Sequence, residues 1–146
     1  MKIRMKNIAS AVSALSIVSA GATAIAEETL TPEAVARQAI DYFTNCNSDG
    51  WLSTRSDDSF MFGIGWKAEG KQEVSQIIQW VVSEFCKNGD NSTVITDIEA
   101  VGNLVMFKWI DEVRGLNGVD TLLIENGKIV GQSIADFPLS EVKSSN

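Results

Sequence analysis

The stretch GVDTLLIENGKIVGQSIADF, residues 118–137, contains two runs of β-forming residues, one before and one after Asn126-Gly127. An Asn-Gly pair between two such runs is a strong short-range signal of a β-hairpin. Two further runs with strand composition, residues 91–101 and 103–113, come directly before it. No helical pattern interrupts these runs, so they predict a meander of antiparallel strands at the end of the chain.

Each strand of the predicted hairpin carries an aspartate among apolar residues. Asp120 shares strand parity with Leu122 and Ile124, so a regular strand directs its carboxyl group to an apolar face. Desolvation on such a face favours the protonated form of the carboxyl group. Asp136 shares the parity of Ile134 and lies either on the same face or at a solvated strand end.

Amphipathic helices are predicted ahead of these strands. Thr31 and Pro32 form a helix-start signal, and apolar residues recur at helical spacing through residues 31–47. Residues 70–90 contain the clearest helical pattern, with a stop signal at Gly89. Because the helices come first along the chain and the antiparallel strands come last, the sequence predicts an α+β domain. In such a domain a curved antiparallel sheet packs around the N-terminal helices.

The segment between these two helices is less regular. Residues 48–56 predict a short helix or turn, and residues 59–66 predict one short strand or two strands broken at the glycines. Asp57 and Asp58 precede this strand region and are expected on a solvated turn. Asp111, further along the chain, is expected to be an outer-face or edge charge of the sheet.

The first residues have the composition of a secretory signal of bacterial type. Basic residues are followed by a small-residue apolar run and by an Ala-Ile-Ala tripeptide before Glu27, which fits a cleavage pattern. We therefore expect a signal peptide at residues 1–26 and a periplasmic or secreted protein. The remainder, residues 27–146, is long enough for one domain and too short for two, with its core at about residues 31–138.

The charge and composition exclude several functions. The chain has 12 Lys and Arg residues against 19 Asp and Glu residues, a net charge of −7, and loss of three basic residues with the signal makes it −10. Nucleic acids and anionic membranes need a basic surface, so neither is an expected partner of the mature protein. The chain contains no histidine, and no metal-binding or cofactor-binding motif is present, so no metal and no cofactor are expected.

Cys46 and Cys86 are the only cysteines of a chain that is expected to enter an oxidising compartment. Each falls near the predicted end of a helix, so a disulfide between them is sterically conceivable. The alternative is a pair of small buried thiols.

Residues 31–51, 69–85 and 119–137 together resemble the SnoaL-like family of the nuclear transport factor 2-like superfamily, which also includes ketosteroid isomerase. The resemblance spans about residues 31–138. It implies a cone-shaped α+β barrel with a deep, largely apolar internal pocket, and it implies a homodimer formed through the outer face of the sheet. The superfamily contains isomerases, cyclases, dehydratases and proteins without assigned chemistry, so the resemblance predicts the fold better than the activity.

The resemblance also implies roles for individual residues. Tyr42 and Asp120 match the tyrosine and the protonated acid that form the oxyanion hole of the isomerases. The alternative for this pair is a buried tyrosine hydrogen-bonded to a structural acid. Phe62 or Gly63 stands where the isomerases need a carboxylate base, so that base is missing. SnoaL-like cyclases use an aspartate on the last part of the sheet, and Asp136 lies about two residues beyond the matching position.

Aromatic residues are expected around the pocket. Trp66 follows a glycine-rich strand at the expected mouth, and Trp109 lies in a central strand. The residues expected to contact a small-molecule ligand are Tyr42, Phe62, Trp66, Trp109 and Asp120. In a different arrangement, Phe60, Phe62 and Phe107 fill the pocket, and the protein is an interaction module without a ligand.

The sequence leaves two main functions open. The first is an exported protein that binds a small apolar or carbonyl-bearing molecule in an internal pocket without converting it. The second is a lyase, isomerase or cyclase, in which Asp136 removes a proton next to a carbonyl while Tyr42 and Asp120 stabilise the oxyanion. The missing base favours the first function.

Overall fold

The structure, a computed structural model, describes residues 30–139, so the predicted signal peptide lies outside the described residues. Its helices are α1 (Pro32–Thr44), α2 (Ser48–Ser53) and α3 (Gly70–Phe85). Its strands are β1 (Arg55–Gly63), β2 (Trp66–Glu69), β3 (Cys86–Lys87), β4 (Asp90–Asn91), β5 (Val94–Val101), β6 (Leu104–Asp111), β7 (Leu116–Glu125) and β8 (Lys128–Pro138). None of the helices within these residues has the length and apolar character needed to cross a membrane.

Six strands form one curved sheet in the order β2-β1-β8-β7-β6-β5, and β3 pairs with β4 in a separate two-stranded ribbon. The predicted hairpin is β7 and β8, which pair antiparallel from Glu125 opposite Lys128 to Leu116 opposite Pro138. The α+β class and the curved sheet around N-terminal helices are confirmed. The sheet is mixed, because β1 runs parallel to β8, and it is open rather than a closed barrel.

Helix α1 begins where the sequence predicts. The side chain of Thr31 accepts a hydrogen bond from the backbone N–H of Ala34 at 3.2 Å, and Pro32 occupies the first helical position. Proline fits there because its missing N–H would have no partner inside the helix. The buried face of α1 is formed by Val35, Ala36 and Ala39, which pack toward the sheet.

Helix α3 ends earlier than the predicted stop signal at Gly89. Its last residue is Phe85, and Gly89 with its neighbour Asn88 instead forms the turn between β3 and β4. Both residues have positive φ angles, 82° for Gly89 and 60° for Asn88, which glycine and asparagine tolerate best. The short ribbon has too few residues to show an alternating pattern, so the sequence did not predict it.

A disulfide links the ends of the two long helices. Cys46 follows α1 and Cys86 follows α3, with their Cα atoms 5.7 Å apart and 40 positions separating them in sequence. The bridge ties the C-terminal ends of α1 and α3 to each other.

Strand β1 begins at Arg55, so Asp57 and Asp58 belong to this strand rather than to the predicted turn. Both remain exposed, and Asp57 forms an ion pair with Lys71 at 3.0 Å. The prediction for Asp111 was wrong, because this residue is fully buried.

Asp111 is the last residue of β6, on the same side as the core residues of that strand. Its carboxylate accepts hydrogen bonds from the Ser92 hydroxyl at 2.7 Å and from the backbone N–H of Arg114 at 3.0 Å. These donors stabilise a buried carboxylate, and strand alternation with Phe107 and Trp109 was a usable signal for its burial.

Candidate functional site

A cavity of about 180 Å³ lies between the helices and the inner face of the sheet. Its wall is mostly apolar and aromatic, and it includes all four tryptophans of the chain. The lining residues are Ala39, Ile40, Phe43, Trp51, Trp66, Trp80, Val81, Phe85, Phe107, Trp109, Arg114, Leu116, Asp120, Leu122, Gln132, Ile134 and Asp136.

Asp120 lies in this wall with both carboxylate oxygens hydrogen-bonded. The indole N–H of Trp109 donates to Oδ1 at 2.9 Å, and the amide nitrogen of Gln132 donates to Oδ2 at 2.6 Å. Asp120 is only 6% exposed, and Gln132 is 2% exposed, so the network is sheltered from bulk water. The site is therefore a buried carboxylate in a predominantly apolar cavity.

Gly118 makes the contact between Trp109 and Asp120 possible. Trp109 in β6 is paired with Gly118 in β7, and its ring lies directly against the glycine. A side chain at position 118 would collide with this ring. The glycine thus lets the indole lie flat on β7 and direct its N–H to the carboxylate two residues further along.

Arg55 fixes the orientation of the Gln132 amide. A terminal guanidinium nitrogen of Arg55 donates a hydrogen bond to the amide oxygen of Gln132. Arginine has only donors, so the oxygen of the amide must face Arg55 and its NH₂ group must face Asp120. Asp120 therefore accepts hydrogen bonds from two N–H groups, and both bonds form while its carboxyl group is ionised.

The electrostatics of Asp120 combine opposing effects. Burial raises the pKa of Asp120 to about 6, while the hydrogen bonds from Trp109 and Gln132 and the charge of Arg55 lower it, and the nearby charge of Asp136 raises it further. Hydrogen bonds from two N–H donors favour the ionised form of this carboxyl group. The carboxyl group therefore acts mainly as a hydrogen-bond acceptor at neutral pH. This differs from the protonated donor that the resemblance implied, because both donors in the network stabilise the charged form.

The structure does not bring Tyr42 and Asp120 together. Helix α1 directs Ala39 and Phe43 into the cavity, whereas the half-buried ring of Tyr42 lies against Gly50 of α2 and is outside the cavity lining. Positions 39 and 43 are four residues apart and share one side of the helix, and position 42 points to its flank. Tyr42 is therefore not in position to form an oxyanion hole with Asp120.

Phe62 also lies away from the cavity. It is 47% exposed, stacks on Phe60 with ring centroids 6.2 Å apart, and alternates with the buried Met61. Phe60 and Phe62 consequently cannot fill the cavity, although Phe107 does line it.

Three other predicted residues do line the cavity along with Asp120. Trp109 lines it as a buried residue of β6, Trp66 lines it with 36% of its surface exposed, and Asp136 lines it from the exposed end of β8. Asp136 is close enough to Asp120 for its charge to affect the pKa of that residue. The cavity therefore has one buried and one exposed carboxylate.

Sequence reasoning missed Gln132 and Arg55 as site residues. Gln132 shares strand parity with Ile134 and Asp136, so a glutamine on an apolar face was a usable signal for a buried polar contact. Arg55 lies in a hydrophilic segment without periodicity, and its contact with Gln132 depends on the parallel pairing of β1 with β8. No local pattern could have indicated that contact.

No family model matches this sequence, and no curated protein is significantly similar to it. Similar folds are found among solved structures. A nuclear transport factor 2-like protein of unknown function from Cytophaga hutchinsonii superposes with a TM-score of 0.61 at 12% identity, covering 80% of this chain and 98% of that protein.

Two further structures carry names that suggest an activity for those proteins. A candidate ketosteroid isomerase from Kribbella flavida has a TM-score of 0.59 at 16% identity, covering 73% of this chain and 77% of its own. A candidate isomerase of the SnoaL-like family from Agrobacterium tumefaciens has a TM-score of 0.53 at 13% identity, covering 70% of this chain and 94% of its own. Identities this low establish the fold alone. The chain therefore has the fold of the nuclear transport factor 2-like proteins.

Proposed function

We propose that this protein binds a small, mainly apolar molecule about the size of one aromatic ring, and that the ligand donates a hydrogen bond to Asp120. The observation that carries the proposal is the buried carboxyl group of Asp120, which accepts hydrogen bonds from Trp109 and Gln132 in the wall of an otherwise largely apolar cavity. Such a combination, an apolar cavity with few polar groups that fix orientation, is typical of small-molecule sites.

The size of the cavity limits the ligand. An apolar cavity of about 150 Å³ can hold benzene, whereas sites for drug-sized ligands range from about 300 to 1,000 Å³. At about 180 Å³, this cavity accommodates one ring with a small substituent. Larger ligands would have to extend past Trp66 and Trp80 at the exposed edge.

The hydrogen bonds of Asp120 limit the chemistry of the ligand. A carboxylate offers about four acceptor positions, and Trp109 and Gln132 occupy two of them. A hydroxyl or N–H group of the ligand can use a remaining position, whereas a carbonyl oxygen would meet a negative charge. This narrows the apolar or carbonyl-bearing ligand expected from sequence to a ligand with a donor group.

A second candidate function is proton transfer on such a ligand, in a reaction of the lyase, isomerase or cyclase type. The pKa of about 6 supports this candidate, because a catalytic base works best with a pKa near the working pH. Asp120 then takes the role of base that the sequence had suggested for Asp136. The names of the isomerase-like structures are compatible with it. Proton exchange from a bound ligand into deuterated water, abolished in Asp120→Asn, is the expected evidence for this alternative.

Binding is tested by titrating the protein with phenol in a calorimeter. Phenol is expected to bind with one-to-one stoichiometry, because it has one ring and one donor. Ile134→Phe adds a ring at the cavity wall and should abolish binding. Ser133→Phe is the matched control, because position 133 faces the opposite side of the same strand, and this variant should bind as the parent does. Equal loss in both variants, or no binding by the parent, contradicts the proposal.

We also propose that the protein acts outside the cytoplasm after cleavage before Glu27. The disulfide between Cys46 and Cys86 supports this proposal, because such bonds persist in oxidising compartments. Protein recovered from the periplasm or medium should begin at Glu27, and a chain that retains residue 1 would contradict cleavage. Homodimerisation through the outer face of the sheet stays a prediction from the resemblance, to be decided by sedimentation equilibrium.

A further inference from the structure

A second cleft lies beside α2, separate from the apolar cavity, with a volume of about 610 Å³. Residues from α2, the start of β1, the start of α3 and the start of β8 form it. They are Asp49, Leu52, Ser53, Arg55, Ser56, Asp57, Lys71 and Lys128. Arg55 thus contacts both sites, since it also donates to Gln132 of the apolar cavity.

The cleft concentrates positive charge in an acidic protein. Residues 30–139 contain eight Lys and Arg residues, and three of them line this cleft. The same part of the chain contains sixteen Asp and Glu residues, of which only two line it. Cations are therefore enriched here relative to the rest of the described surface.

Two neighbouring residues in the cleft have buried polar atoms without a partner. Arg55 is only 5% exposed, and its Nε and Nη1 atoms have no acceptor among the described residues. The hydroxyl of Ser56 is also buried and has no partner within residues 30–139. Buried polar groups are nearly always hydrogen-bonded, so orphaned donors on adjacent residues indicate an acceptor that the protein itself does not supply.

The contacts that Arg55 does make leave its charge only partly compensated. Its guanidinium lies 5.6 Å from the centroid of the Trp51 ring, and the face of an aromatic ring attracts a cation. The ring does not accept hydrogen bonds from the free N–H groups, which point outward in the plane of the guanidinium. Burial lowers the pKa of Arg55 to about 10, and the more distant charge of Asp120 only partly opposes this effect.

We propose that the cleft beside α2 binds the phosphate or carboxylate group of a small anion, with Arg55 and Ser56 as hydrogen-bond donors and Lys71 and Lys128 as flanking charges. A guanidinium fork matches the geometry of both kinds of oxyanion. Lys71 pairs with Asp57 at 3.0 Å, and the Lys128 amino group donates to the backbone carbonyl of Ser53 at 2.8 Å. Both lysines are held at the cleft by these contacts. The proposal does not depend on the function of the apolar cavity.

The test is thermal unfolding of the protein in separate titrations of inorganic phosphate and acetate, at constant ionic strength. A ligand that binds only the folded state raises the unfolding midpoint in a saturable manner, by roughly 10 °C at a hundredfold excess over its dissociation constant. Whichever anion saturates at the lower concentration identifies the group that the cleft prefers.

Variants separate specific binding from general salt effects. Arg55 also orients Gln132, so its replacement could unfold the protein, and the surface lysines are the better positions to change. Lys71→Ala with Lys128→Ala should weaken anion binding at least tenfold. Lys108→Ala is the matched control, because Lys108 forms a comparable ion pair with Asp97 at 3.0 Å on another part of the sheet, and binding should be retained. An absence of saturable stabilisation by either anion, or equal stabilisation of the double variant, overturns the proposal and leaves water as the partner of Arg55.

Discussion

Replacing both Cys46 and Cys86 with alanine is expected to lower the free energy of unfolding by about 4 kcal/mol. The bridge closes a loop with a sequence separation of 40 residues, and a loop of this length loses much conformational entropy in the unfolded state when it is closed. Small domains commonly have a total stability of about 5 to 15 kcal/mol, so the loss would be a large part of it. Urea unfolding of the oxidised parent and the double variant measures the difference.

A reductant provides the control for this prediction. Dithiothreitol should lower the urea midpoint of the parent toward that of the double variant and leave the midpoint of the variant unchanged. A difference in unfolding free energy below about 1 kcal/mol would show that the bridge contributes little and that noncovalent packing already holds the ends of α1 and α3 in place.

Asp120 is expected to make the free energy of unfolding depend on pH. Its pKa is raised from 3.8 to about 6 in the folded protein, so the folded state binds this proton more tightly than the unfolded state does. Stability must therefore fall as the pH rises from about 4 to about 6, by on the order of 3 kcal/mol for this residue. Above pH 6 to 7 both states are ionised at this position, and the contribution becomes constant.

Asp120→Asn isolates this contribution, because the other carboxyl groups titrate in both proteins. Denaturant unfolding should be measured at pH 4, 5, 6 and 7. As the pH rises across this range, the free energy of unfolding of the variant should increase relative to that of the parent by on the order of 3 kcal/mol. A relative stability that is constant with pH would mean that Asp120 has an ordinary pKa. A change of the opposite sign would mean that its hydrogen bonds outweigh its burial.

The elements set by local signals could be predicted from the sequence. The cap at Thr31, the apolar spacing of α3 and the Asn-Gly turn between β7 and β8 each depend on a few neighbouring residues. The parallel pairing of β1 with β8 joins segments far apart in sequence, and the strand patterns do not specify it. The same long-range pairing places Arg55 beside Gln132.

The candidate site could be predicted only in part, because local strand alternation indicates which face a residue takes but not which residues pair with it. Strand alternation indicated that Asp120 faces an apolar side, and the structure has it buried there. Its partners depend on the register of β6, β7 and β8, which brings Trp109 and Gln132 to the two sides of one carboxylate. The helical stripe that contains Tyr42 is broad, so the sequence could not distinguish a cavity-facing position from one that packs on α2.

Recognition of a donor group on a one-ring ligand by an ionised Asp120 is tested by comparing phenol with anisole. Anisole keeps the ring and the oxygen but lacks the O–H donor. A hydrogen bond to a charged group contributes about 1.5 to 3 kcal/mol, so phenol should bind roughly 10- to 150-fold more tightly at pH 7.5. Asp120→Asn should remove most of this preference, while any effect of ligand size persists in the variant. If anisole binds the parent protein as tightly as phenol, or more tightly, the carboxylate does not recognise the ligand and the account is contradicted.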